Sequence, residues 1–160
     1  MPAETPFVLV PVVPGPYKNL VSQLRLLLST AERLKHPARI HVTAKASDLP
    51  ADLATHPRLT AIGPVPPSKL SGAWRSAAAA FYPSTLESFG YPLAEARVYG
   101  VPVIAPDTPQ AREIAGRALI PYAPGDSSSI ADAVHRIGED VPPEPLAFDS
   151  TTYFDWLLAA

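Results

Sequence analysis

The chain has 160 residues and a mass of 17.0 kDa, which is the size of one ordinary domain and leaves no room for a second. Hydrophobic residues make up 47% and charged residues 18%, a balance that argues against both a disordered chain and a transmembrane segment. The net charge of -2 argues against binding to nucleic acid, and the lack of cysteine excludes disulfides and thiolate metal sites. The first residues do not resemble a signal peptide, so we expect a cytoplasmic protein.

Apolar runs bounded by prolines and glycines predict short strands that alternate with helices. In chain order, the predicted elements are a strand over 7–13, a helix from Leu20 that stops before Pro37, a strand over 39–43, a helix over 48–55, a strand over 59–62, a helix over 68–76, a strand over 78–82, a helix over 92–99, a strand over 101–105, a helix over 109–115, a strand over 119–122 and a helix over 127–137. Asn19 is the predicted cap of the first helix, and a serine that of the last. Residues 138–148 are predicted to form a linker, followed by a short apolar helix over 151–158.

This alternation predicts one Rossmann-like α/β domain, a parallel sheet of about six strands with helices on both faces. In the common strand order 3-2-1-4-5-6, ligands bind beyond the carboxyl ends of strands 1 and 4, where the winding reverses. The loop after strand 1 holds Lys18 and Asn19, and the loop after strand 4 holds residues 83–90. We expect residues 1–138 to form this domain and 139–160 a linker and helix that pack on it or on a partner.

The helix predicted after the second loop lacks an ordinary cap, because the capping position falls on Gly90 or Tyr91. Its free amides would suit a phosphate, unless water or the preceding loop satisfies them. Glu87 precedes this helix, and the Glu95 side chain leans back toward the same volume. The two carboxylates could accept hydrogen bonds from sugar hydroxyls; alternatively, Glu95 is a surface residue and Glu87 only favours the helix dipole.

The stretch PSTLESFGYPLAEARVYGVPVIAPDTPQAREI, residues 83–114, resembles the group 1 family of retaining glycosyltransferases, in which two glutamates flank seven residues. Weaker similarity extends upstream to GPYKNLVSQLRLLL at 15–28 and AIGPVPPSKLSGAWRSAAAAFYPS at 61–84, and downstream to residues 113–137. The resemblance implies one half of a two-domain GT-B fold. It also implies hexosyl transfer from a nucleotide diphosphate sugar with retention of configuration, and no cofactor or obligatory metal.

The resemblance also implies a role for each residue that matches the motif. Glu87 would contact the donor sugar and is the candidate catalytic residue. Glu95 would hold the ribose hydroxyls, Lys18 would pair with the diphosphate, and backbone amides after Ser88 would lie against both sugar and diphosphate. The candidate substrate-binding residues are Lys18, Asn19, Ser88, Phe89, Gly90, Tyr91 and Glu95.

Two departures from the family pattern bear on this interpretation. The basic residue that the family commonly has about five positions before the lysine is replaced by Val13 or Pro14, and Arg75, Arg112 or Arg117 could take its place. The resemblance covers the C-terminal, donor-binding half of such an enzyme, so we expect the N-terminal, acceptor-binding domain to be missing, and we expect this chain to bind a UDP-, GDP- or ADP-sugar and to transfer little by itself. The alternatives are a non-catalytic interaction module that keeps the fold, and a related GT-B epimerase or phosphorylase.

The remaining candidates are weaker. The four histidines are scattered without the spacing of metal ligands, so we expect no metal site. Asp107 could border the pocket or form a turn or cap with Thr108. The apolar C-terminal helix around Trp156 could contact a partner domain or a second copy of the chain, or pack on its own sheet.

Overall fold

The computed structural model describes residues 5–11, 19–86 and 88–149. The strands are β1 (Phe7–Val10), β2 (Arg39–Val42), β3 (Leu59–Ala61), β4 (Ala79–Phe81), β5 (Val103–Pro106) and β6 (Leu119–Tyr122). The helices are α1 (Leu20–Arg33), α2 (Ala51–Ala54), α3 (Pro67–Ser76), α4 (Tyr91–Tyr99), α5 (Pro109–Ala115) and α6 (Ser127–His135), with 3-10 turns at Ala46–Asp48 and Gly116–Ala118. None of the helices in these ranges combines the length and the apolar character needed to cross a membrane.

The strands form one parallel sheet, which confirms the Rossmann-like fold predicted from the sequence, and their order β3-β2-β1-β4-β5-β6 is the common one for this fold. The winding reverses between β1 and β4, where Val8 lies opposite Ala79 and Leu9 opposite Ala80. The loops that follow these two strands therefore leave the same edge of the sheet, side by side.

The core lies on both faces of the sheet, because every residue of β4 and β5 is buried. Helix α1 covers one part of the sheet with a stripe of buried leucines: Leu20, Leu24, Leu27 and Leu28. Trp74 of α3 is fully buried, and its ring stacks on that of Tyr99 in α4 with the ring centroids 6.3 Å apart. This contact fixes α3 against α4, the helix that carries Glu95.

Several predicted boundaries differ from the observed ones, and two of the larger differences have local physical reasons. The helix predicted over 48–55 is a 3-10 turn followed by α2, and Pro50, which has no N–H, lies between them at the cap position of α2. The strand predicted from Val101 begins at Val103, because the Val101 amide donates to the Ala96 carbonyl and closes the end of α4. The first strand ends at Val10, and residues 12–13 lie outside the described residues.

Two predicted caps also differ. Asn19 occupies the cap position of α1, but it is in the left-handed region with φ 50° and its side chain makes no capping bond. Helix α6 is capped by Asp126 rather than by a serine, since the Asp126 carboxylate accepts from the amides of Ser128 and Ser129. A charged acceptor at this position is also favoured by the helix dipole.

The segment predicted as a linker lies against the domain. We call residues 138–149 the C-terminal strap. It begins beside β4, where the Gly138 amide donates to the Ala78 carbonyl over 3.0 Å, and continues along α4, where the Glu144 amide donates to the Arg97 carbonyl over 3.0 Å. The predicted helix over 151–158 lies outside the described residues.

Candidate functional site

The loop between β4 and α4 leaves the sheet at the point where the winding reverses. Its described residues, 82–86 and 88–90, are called the motif loop below. Asn19 begins α1 at the same edge, because α1 follows the neighbouring strand β1. Lys18 and Glu87 lie outside the described residues, so their predicted convergence on this edge stays a prediction.

Helix α4 begins at Tyr91 without a side-chain cap, as the sequence predicted. Gly90 adopts φ 88°, and a Cβ at this position would lie 3.1 Å from Leu93 Cδ1, so both the backbone and the space favour glycine. The Leu93 and Ala94 amides donate to the Gly90 carbonyl over 2.9 and 3.4 Å, and Pro92 has no N–H. The donors of the first turn that the helix does not use are therefore the Gly90 and Tyr91 amides, which have no backbone acceptor among residues 5–11, 19–86 and 88–149 and are called the free amides below.

Neighbouring elements contact the motif loop from two sides. The Gln110 side-chain amide of α5 donates to the Ser88 carbonyl over 3.3 Å. The Phe89 ring makes edge contacts with the Tyr91 ring at 5.3 Å and with the Phe148 ring of the C-terminal strap at 5.9 Å. The residues that present the free amides thus depend on α5 and on the strap for their position.

Glu95 lies half-buried on α4, one turn after the free amides. Burial raises the pKa of the Glu95 carboxyl, and the nearby indole N–H of Trp74 opposes this shift by favouring the charged form. The Trp74 Nε1 atom is buried and makes no hydrogen bond of normal geometry within the described part of the chain. Glu95 is therefore a partly desolvated acceptor rather than an ordinary surface carboxylate.

Three arginines were proposed to replace the missing basic residue, and one of the three lies at the carboxyl ends of the strands, where the motif loop is. Arg75 ends α3 and Arg117 precedes β6, so both lie at the amino ends of strands. Arg112, in the first turns of α5, lies at the carboxyl edge, where its Nε and NH2 atoms donate to the Asp107 carboxylate over 2.6 and 2.7 Å. Asp107 thus forms an ion pair, and Thr108 is the cap of α5.

Three of the four histidines make local structural contacts. His36 and His56 each accept, through Nδ1, a hydrogen bond from a backbone amide two residues later, at 3.2 Å. The His41 ring stacks on Phe7 with centroids 4.4 Å apart. Within residues 5–11, 19–86 and 88–149, no cluster of three or more histidines and carboxylates could hold a metal ion.

Sequence reasoning missed three residues at this site. Trp74 borders Glu95, Gln110 holds the Ser88 carbonyl, and Phe148 contacts Phe89. Trp74 and Gln110 lie inside stretches that resemble the family, but the resemblance gave neither of them a role, and Phe148 lies outside those stretches.

Comparisons with known proteins were made for sequence and for fold. A family model described as glycosyl transferases group 1 matches residues 12–140. No curated protein sequence matches the chain. Among solved structures, the chain is similar to a pneumococcal O-GlcNAc transferase in complex with UDP and GlcNAc, with a TM-score of 0.59 and 17% identity over 83% of this chain and 28% of that one.

Two further structures share the fold. The UDP-GlcNAc 2-epimerase from Methanocaldococcus jannaschii matches with a TM-score of 0.67 and 13% identity, over 98% of this chain and 46% of that one. The sucrose-phosphate synthase from Thermosynechococcus elongatus matches with a TM-score of 0.62 and 19% identity, over 99% of this chain and 47% of that one. The chain spans less than half of the length of each of these structures. Its fold is that of one half of a GT-B protein.

Proposed function

Because this chain belongs to the group 1 family of glycosyltransferases, we propose that it is the nucleotide-sugar-binding domain of a retaining, metal-independent hexosyltransferase. The observation that supports this best is the position of the uncapped start of α4 and of Glu95, together at the edge where the winding reverses. In the proposal, residues 1–138 form the donor-binding domain and the acceptor site belongs to a second domain.

In the proposed chemistry, different groups of the site contact different parts of a nucleotide diphosphate sugar. The amides of Gly90 and Tyr91 face the diphosphate, and Lys18 adds a positive charge beside it. Glu95 accepts from the ribose hydroxyls, and Glu87 contacts the donor sugar. Hydrogen bonds to charged groups contribute about 1.5–3 kcal/mol each, and donors fixed by the fold stabilise the leaving diphosphate as its charge develops.

A UDP-sugar is the first donor to test, since the pneumococcal transferase that shares this fold was solved with UDP and GlcNAc. GDP- and ADP-sugars follow, because no described residue identifies a base-binding contact. We retain the cytoplasm as the proposed location.

Calorimetric titration of the chain with UDP-, GDP- and ADP-sugars tests the proposal. We expect millimolar or tighter binding to at least one of them, weakened about tenfold or more by Glu95→Gln and by Lys18→Ala. Glu113→Gln is the matched control, since Glu113 is an exposed glutamate on α5. Absence of binding to all three donors, or equal loss in Glu95→Gln and Glu113→Gln, would contradict the proposal.

A non-catalytic interaction module is the second candidate. It is favoured by the missing second basic residue, because Arg112, the one candidate substitute at this edge, is paired with Asp107. This function would use the segment around Trp156 to bind a second copy of the chain. Size-exclusion chromatography of the wild type and of Trp156→Ala distinguishes the two: a dimer that dissociates in the variant, together with no donor binding, supports the module.

A further inference from the structure

The C-terminal strap runs antiparallel to α4, from the end of the helix toward its start. It passes Gly100 at the C-terminus of α4, where a Cβ would lie 2.5 Å from the Val141 carbonyl oxygen. It then reaches Arg97, whose Nε and NH2 atoms donate to one Glu144 oxygen over 3.1 and 2.8 Å. Helix α4 has nine residues and is about 13 Å long, so a strap that follows it ends at the motif loop.

Phe148 is the residue by which the strap meets this loop. Its ring contacts the Phe89 ring edge to face, with an interplanar angle of 85°. The Arg97 guanidinium lies 5.6 Å from the centroid of the Phe148 ring, so the arginine that binds Glu144 also holds Phe148. The Arg97–Glu144 pair therefore fixes the strap just before it reaches Phe89.

Phe89 immediately precedes the two amides that the helix leaves free. Gly90 is buried and its carbonyl accepts the Leu93 and Ala94 amides, so helix α4 holds it from one side. Ser88 and Phe89, which precede it, are exposed and are held by neighbouring elements, through the Gln110 bond to the Ser88 carbonyl and through the contact of Phe89 with Phe148. A shift of Phe89 would turn the adjacent amides away from a bound diphosphate.

We propose that Phe148, held by Arg97 and Glu144, is a positioning residue that orients the Gly90 and Tyr91 amides for a nucleotide diphosphate through its contact with Phe89. This inference rests on the proposed function for its ligand. It adds to the site a residue that lies outside the glutamate motif, in the segment that follows the last helix.

The experiment compares Phe148→Ala, Phe148→Tyr and Leu146→Ala with the wild type. Leu146 is the matched control, because it lies on the same strap and is 66% exposed. Calorimetry measures the affinity for the nucleotide sugar that the wild type binds, and 15N relaxation by NMR measures the backbone mobility of residues 88–91. Thermal unfolding of each variant reports on a purely structural role.

We expect Phe148→Ala to weaken binding about threefold to tenfold and to raise the backbone mobility of residues 88–91, with that of β2 and β3 unchanged. Phe148→Tyr, which keeps the ring edge, restores both measurements, and Leu146→Ala changes neither. Wild-type affinity and mobility in Phe148→Ala, or the same changes in Leu146→Ala, would overturn the inference. If the wild type binds no nucleotide sugar, the proposed function fails instead, and the mobility of residues 88–91 still decides whether Phe148 orders the loop.

Discussion

Glu95 is the residue at which stability and binding conflict. Its carboxyl is partly removed from water, and no cation among the described residues pairs with it, so burial raises its pKa. The charged form that would accept from ribose hydroxyls is therefore the form that costs folding free energy. Residues of this kind are common where a protein exchanges stability for a binding function.

Glu95→Gln is expected to raise the thermal stability of the free chain at about pH 8 while it weakens donor binding. A carboxyl whose folded pKa is raised loses stability as the pH rises through that pKa, because the desolvated charge then appears. The gain in Tm should therefore vanish below about pH 4, where both Glu95 and the glutamine are neutral. Thermal unfolding at the two pH values measures this, and a lower Tm for the variant at pH 8 would contradict it.

Trp74→Phe tests the contact behind Glu95. Phenylalanine retains an aromatic ring to stack on Tyr99 but lacks the N–H that favours the charged carboxylate. We expect the acid limit of donor binding to move to higher pH, with a loss of about 1–2 kcal/mol of unfolding free energy for the smaller ring. Affinity measured across the pH range decides this, and a pH profile unchanged from that of the wild type would refute the contact.

At the scale of elements, two glycine variants distinguish the free-energy cost of moving the C-terminal strap away from α4 from the cost of a left-handed backbone. Gly100 and Gly63 both have positive φ, 67° and 71°, but only Gly100 faces backbone, while Gly63 has nothing within 4 Å of a Cβ. Alanine at either position costs about 1–2 kcal/mol for the left-handed conformation. We expect Gly100→Ala to cost about 1–3 kcal/mol more than Gly63→Ala, because the strap must move.

Urea denaturation of the two glycine variants provides the comparison. Equal losses would show that the strap does not depend on close approach to Gly100. A larger loss for Gly100→Ala, with faster hydrogen exchange in residues 141–148, is the expected result.

The cap of α6 gives a pH-dependent prediction. Hydrogen bonds from the Ser128 hydroxyl and from the Ser128 and Ser129 amides lower the pKa of Asp126. A carboxyl with a lowered pKa contributes stability above its ordinary pKa and loses it as the pH falls through the folded value. Asp126→Ala should therefore lower the Tm at pH 7 but not below about pH 2, whereas Ser127→Ala should change little at either. A larger effect from Ser127→Ala than from Asp126→Ala would instead indicate that a serine caps α6, as the sequence suggested.

The sequence predicts those elements that are determined by residues within one segment, and it fails for those that depend on contacts between segments. The alternation of strands and helices depends on apolar periodicity that can be read within each segment, whereas the strand order was only the common order for this fold. The end of α4 at Gly100 and the cap of α6 depend on competition between neighbouring acceptors, such as Asp126 against three serines. The strap was predicted to be a linker because it lacks apolar periodicity. Its position depends on Gly100 and Arg97, which lie more than 40 residues earlier in the sequence than the strap residues they contact.

For the whole molecule, the part of the candidate site that the sequence predicts consists of residues adjacent in sequence, and the rest is brought there by packing. The motif located the loop, the uncapped helix and Glu95, because these are adjacent in sequence. Trp74, Gln110 and Phe148 reach the site only through the packing of α3, α5 and the strap, and no single segment of sequence contains that packing. The result is a loop that ends in a buried glycine, Gly90, and an exposed tyrosine, Tyr91, and that its neighbours contact from several sides.

The central claim is that a nucleotide diphosphate sugar binds at the carboxyl edge between β1 and β4. Amide chemical-shift mapping by NMR during titration with the donor that binds tests it most directly. The account predicts the largest shifts at residues 88–91 and near Asn19 and Glu95, with none around Arg75 or Arg117 at the opposite edge. Shifts concentrated at that opposite edge, or saturation of binding without any change at 88–91, would contradict it.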